Sequence, residues 1–70
     1  MFWWFERGGR YLRCEAQQMA TGGYELRIFS PDGSQQVEHF DDSGALAKRQ
    51  HDIMDEIKRE GWNGPHGWVL

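Results

Sequence analysis

Through its first forty residues the chain alternates apolar and polar positions with a period of two, and turn-forming stretches cut the pattern into four runs. The runs Phe2–Arg7, Arg10–Gln18, Tyr24–Ser30 and Gln35–Phe40 are of strand length and rich in aromatic or β-favouring residues. "RGGR" sets Gly8 and Gly9 between the first two, a two-residue hairpin signal because both positions tolerate positive φ. "MATGGY" supplies Gly22 and Gly23 for a longer loop, and "SPDGS" places Pro31, Asp32 and Gly33 in turn order. Connections this short make the runs neighbours in an antiparallel meander.

The period then changes. In "DDSGALAKRQHDIMDEIKREGW", Leu46, Gln50, Ile53, Met54 and Ile57 recur at helical spacing with Ala47 beside them. Asp42 or Ser43 can cap the start, Gly61 can stop the end, and Lys58 and Arg59 suit the negative end of the helix dipole. Asp55 precedes Arg59 by four residues, the spacing of a helical ion pair. The pattern predicts one α+β domain over 1–70: a four-stranded antiparallel meander with one C-terminal helix packed on one face (ββββα). Strands are expected at about 2–7, 10–18, 24–30 and 35–40, the helix at about 43–60 and an apolar tail at 61–70.

Register sorts the side chains into two faces. A two-residue turn at Gly8–Gly9 sets Phe5 opposite Leu12 and Trp3 opposite Cys14. Tyr24, Leu26 and Ile28 join that face by parity, and Val37 joins if it pairs with Ile28; the helix stripe covers them all. The other face then carries Phe2, Trp4, Tyr11, Arg13, Arg27 and Phe29, with Glu6, Glu15, Glu25, Glu38 and Phe40 among them. In this register Trp4 faces Arg13 and Arg27 faces Glu38. One helix covers only one side of a sheet, so the second aromatic surface calls for solvent, a partner or the tail. In the tail, Trp62 suits packing onto the last helical turn. Pro65, Trp68, Val69 and Leu70 are expected to wrap a sheet edge or the open face, with partner binding as the alternative.

Composition tightens this picture. Seventy residues bury only roughly 60% of the surface the unfolded chain exposes, and such small folds lean on crosslinks, metals or association. With one cysteine, Cys14, neither an intrachain disulfide nor a cysteine-rich zinc site can form. Four Trp, four Phe and two Tyr supply large buried areas instead. The opening "MFWWF" meets Glu6 and Arg7 too soon for a signal peptide, and no stretch approaches a membrane span, so a cytoplasmic location is expected, with no membrane partner. Net charge is −3, with four Arg against three Glu in residues 1–30 and four basic against eight acidic groups in 31–70. That balance does not favour general attraction to nucleic acid.

Reactive chemistry is sparse. His51 and Asp55 stand one helical turn apart, but nothing in the spacing brings His39 or His66 to them, so no metal site is expected. Cys14 falls on the apolar face, where a thiol behaves as a small hydrophobe. "RGGR" and "ATGG" open no helix and lack a phosphate-loop lysine. Asp41–Asp42 is accounted for by helix capping. No catalytic residue, cofactor or metal is expected, and the protein reads as a non-enzyme.

In "WFERGGRYLRCE", "GGYEL", "PDG", "VEHFDD" and "GWNGPHG" the chain resembles a family of short, uncharacterised bacterial proteins, a likeness that implies no function. The arrangement of four antiparallel strands and a helix is also similar to one repeat of the PUR-type and Whirly-type single-stranded nucleic-acid-binding proteins, and "GGRYLR" looks like a PUR second strand. The function expected is a small protein-interaction or self-associating module, a homodimer or one bound to another protein. Its candidate surface is Phe2, Trp4, Tyr11, Arg13, Arg27 and Phe29, with the first strand as an uncovered apolar edge. The alternative is single-stranded nucleic acid on that same face, the rings stacking on bases and the arginines meeting phosphate.

Overall fold

The computed structural model describes residues 1–69, with the side chains of Trp68 and Val69 and all of Leu70 outside the described set. The chain runs β1 (Phe2–Arg7), β2 (Arg10–Gln18), β3 (Tyr24–Phe29), β4 (Gln35–Phe40), α1 (Ser43–Arg59) and β5 (Asn63–Val69). The fold is α+β with an antiparallel sheet and one helix, but the sheet has five strands in the order β4-β3-β2-β1-β5. The ββββα expectation is corrected to ββββαβ: α1 is followed by a strand that pairs antiparallel with β1. That pairing also removes β1 from the sheet edge, so the apolar "MFWWF" edge is covered by the chain's own tail.

Turn chemistry explains the register of the first hairpin. Gly8 and Gly9 both have positive φ (55° and 81°), and Arg7 pairs with Arg10, Phe5 with Leu12 and Trp3 with Cys14. The β3–β4 hairpin differs from the sequence expectation by one residue. Gly33 N–H donates to Ser30 O (3.0 Å) and Ser30 N–H to Ser34 O (2.9 Å), which closes a three-residue loop with Gly33 at φ 90°. Pro31 takes the second position of the turn, where its fixed φ fits; it lacks the N–H that a ladder position beside a two-residue turn needs. Arg27 therefore pairs with Val37, and Leu26 with Glu38. A one-residue step exchanges the faces of every β4 side chain. Val37 leaves the core and is 40% exposed, while Phe40 packs against the core and Glu38 turns toward the helix. There Arg49 forks onto Glu38 through Nε (2.9 Å) and Nη2 (3.1 Å), tying α1 to the edge strand.

The core lies between α1 and one sheet face. Trp3, Phe5, Cys14, Ala16 and Leu26 are buried there beneath Leu46, Ile53 and Ile57. Asp42 caps α1 by accepting from Ala45 N–H at 2.8 Å. At the other end Gly61 takes φ 90°, its N–H donates to Lys58 O (3.0 Å), and Trp62 N–H donates to Ile57 O (3.3 Å). These two bonds form a Schellman motif, and Trp62 packs on the core as its apolar closure. Asp55, one turn from both His51 and Arg59, takes His51 at 3.5 Å.

Candidate interaction surface

The face that α1 leaves uncovered is built by strand parity. Residues 2, 4 and 6 of β1, 11, 13, 15 and 17 of β2, and 25, 27 and 29 of β3 all point away from Trp3, Phe5, Cys14 and Leu26. The sheet register then aligns them sideways. Phe29 pairs with Arg13, Arg13 with Trp4, and Trp4 with His66, so one lateral row crosses β3, β2, β1 and β5. Beside it runs a second row in which Arg27 pairs with Glu15 and Glu15 with Phe2.

Side-chain geometry links the two rows. The Arg13 guanidinium carbon lies 4.4 Å from the Phe29 ring centroid and 5.8 Å from that of Phe2. Each such exposed cation–π contact contributes about 0.5–1 kcal/mol. Phe2 and Trp4 stand 5.9 Å apart at 42°, and Trp4 and His66 5.8 Å apart at 36°. The indole of Trp4 is not free on both sides: a Cβ built on Gly67 would fall inside its ring, so β5 passes directly against it. Trp4 is thus half-buried and clamps β5 to the sheet.

The carboxylates on this face are mostly engaged. Glu25 is 3% exposed. Gln17 Nε2 donates to it at 3.2 Å and Arg27 Nε at 2.7 Å. The Gln17 hydrogen bond first, then the Arg27 bond and charge, hold its carboxyl below the usual glutamate range. Arg27 also reaches Gln35 Oε1 at 3.3 Å. Glu6 accepts from Gly9 N–H at 3.0 Å and so belongs to the hairpin turn. Glu38 is not on this face at all, because it pairs with Arg49 on the other. The expected Arg27–Glu38 contact is replaced by Arg27–Glu25. Glu15 has no ion pair or hydrogen bond among the described residues.

All six residues singled out from the sequence lie on this face, and the structure groups them unequally. Phe2, Trp4, Arg13 and Phe29 form one connected patch. Arg27 is drawn into the Glu25 cluster, and Tyr11 stands 60% exposed at the hairpin end opposite Glu6. His66, Gln17, Val37 and Gly67 belong to the surface and were not in the sequence-derived set. Gln17 was within reach of the alternation of β2; His66 and Gly67 depend on the pairing of β5. On the opposite face the Cys14 thiol is pushed up to about 12 by burial. Among the described residues no three His, Cys, Asp or Glu side chains are grouped to hold a metal ion, and no helix is long and apolar enough to cross a membrane.

No protein-family model, curated protein or solved structure matches this chain.

Proposed function

We propose that the protein is a small non-enzymatic interaction module whose working surface is the helix-free face of its sheet. The observation that carries this reading is the row Phe29–Arg13–Trp4–His66, in register across four strands with Phe2 beside it, on a face over which no described helix lies. Aromatic rings and arginine are the residue types that dominate interface cores and their binding energy. Stacking between Phe29 and Phe2 holds the Arg13 side chain in place before any partner arrives, which lowers the ordering cost of association. The groups on this face are suited to contact rather than bond-making. An apolar β1 edge contributes nothing to this reading, since β5 occupies it.

A photoreactive phenylalanine analogue placed at Tyr11, with Lys48 on the exposed helix flank as the control position, tests the reading in living cells. Adducts are expected from position 11 and not from position 48. Equal yields from both, or none from position 11, would discard the face as the working surface.

A second reading, single-stranded nucleic acid on the same face, gains from one observation. Of the four glutamates that alternation assigned beside the aromatics, Glu38 lies on the other face and Glu25 is enclosed by Gln17 and Arg27. Base stacking on Tyr11, Phe2 or Phe29 contributes about 1–3 kcal/mol per base. The chain's net charge of −3 works against the phosphate attraction that normally accompanies it.

A further inference from the structure

We infer that the occupant of the helix-free face is a second copy of this chain, docked sheet on sheet about a twofold axis so that Arg13 of each copy meets Glu15 of the other. This rests on the reading of that face as an interaction surface and names its partner.

Two charges on this face lack counter-ions among the described residues. Arg13 is exposed and lies over the Phe2 and Phe29 rings, and Glu15, two residues along the same strand, is half-buried; neither has an ion pair among the described residues. Both lie on β2, the central strand of the order β4-β3-β2-β1-β5. A twofold axis lying between two facing sheets and crossing β2 at right angles, level with Cys14, carries position 13 of one copy over position 15 of the other. Residue i then meets j and j meets i, as an isologous interface requires.

The sheet register extends this match. Trp4 and Phe29 are level with Arg13, and Phe2 and Arg27 are level with Glu15. The same axis therefore sets Trp4 against Phe2 of the second copy, and Phe29 against Arg27 of the second copy. Cation meets anion, ring meets ring, and ring meets guanidinium; no pair sets like charges together. Facing sheets pack about 10 Å apart and about 30° off parallel, so the central Arg13–Glu15 pair is the one held most closely opposite.

Size and charge are compatible with this occupant. Five strands about 4.8 Å apart and about 20 Å long give a flat footprint of roughly 480 Å² per copy. Two footprints approach the roughly 1,000 Å² total that a specific interface needs. Although the chain carries −3 overall, this face holds two arginines against three glutamates, one of them already spent on the Gly9 turn. The rest of the acidic excess lies in the turns, at Asp32, Asp41, Asp42 and Glu60, away from the contact.

The test uses charge exchange. Light scattering of the wild type from 10 μM to 1 mM is expected to give twice the chain mass at the upper end. Arg13→Glu alone and Glu15→Arg alone each set like charges together twice and should weaken association at least about 100-fold. An equimolar mixture of the two variants, and the double variant R13E/E15R, should both return to twice the chain mass. Circular dichroism and melting check that each variant is folded. Should Arg13→Glu fail to fold, amide shifts of the wild type between 10 μM and 1 mM take its place, expected at Arg13, Glu15 and Phe29 and not on α1.

A wild type that stays monomeric at 1 mM overturns the inference, as does a dimer indifferent to the charge exchanges or a mixture that stays monomeric. If position 11 still crosslinks to another protein, or the monomer binds oligothymidylate through this face, the interaction surface stands and only the second copy is excluded.

Discussion

Gly67 lies flat against the indole of Trp4, so closely that any Cβ on it would enter the ring. Its φ of 68° is in the left-handed region as well, so two independent requirements select glycine. Gly64, at φ 139°, meets Phe5 Cδ1 on the other side of β1, where a Cβ would come within 2.8 Å. The last strand is therefore fitted onto β1 by two glycines, one against each face.

Gly67→Ala is expected to cost about 2–4 kcal/mol, combining an unfavourable backbone conformation with overlap that Trp4 must yield to. Urea denaturation reads the total. Amide exchange should show the loss centred on the β1–β5 ladder, with α1 and the β2–β3 ladder least affected. A variant as stable as wild type would mean that Trp4 does not hold β5.

Position in the β3–β4 register separates Val37 from Phe40. Val37 is 40% exposed on the helix-free face, whereas Phe40 packs on the core. Val37→Thr should change stability by no more than about 0.5 kcal/mol, and Phe40→Ala should cost about 2–4 kcal/mol. The reverse order of effects would restore the register in which Val37 pairs with Ile28.

Acid should act through Glu25. Its folded carboxyl lies below the ordinary 4.5, held first by the Gln17 hydrogen bond and then by Arg27. Between the lowered folded value and the unfolded one, the unfolded chain binds more protons, so stability rises with pH there. The contribution is complete above the unfolded value and is lost as pH falls through the folded one. Glu25→Gln should flatten the acid limb of a melting-temperature profile below about pH 4.5 while leaving the profile near pH 7 flat.

Cys14 gives the complementary alkaline case. Its thiol is pushed from 9.0 to about 12 by burial, so the folded state keeps its proton when the unfolded state releases it. Stability is expected to fall as pH rises from 9 towards 12. At pH 8 the native thiol should resist a disulfide reagent for hours and react within seconds in 6 M guanidinium. Fast reaction in the native state would place Cys14 outside the core.

Much of this protein was legible before its structure. The β1–β2 pairing follows from two adjacent glycines with positive φ, which leave one register open to the flanking strands. The helix follows from the stripe Leu46, Ile53 and Ile57 between the Asp42 cap and the Gly61 stop. The candidate face followed from parity in β1, β2 and β3, where all six residues named from the sequence lie on one side.

Tertiary structure decided the rest, because the deciding information was not local. Whether "SPDGS" closes over two residues or three depends on a backbone bond between Ser30 and Ser34, and that single step moved Val37, Glu38 and Phe40 to opposite faces. The tail shows no period of two, since register shifts interrupt its pairing with β1 on both sides of His66. Its strand state exists through hydrogen bonds to a β1 that lies some sixty residues earlier in the chain. Alternation can assign a side chain to a face, but which strand borders which, and in what register, is settled only where distant backbone groups must satisfy one another.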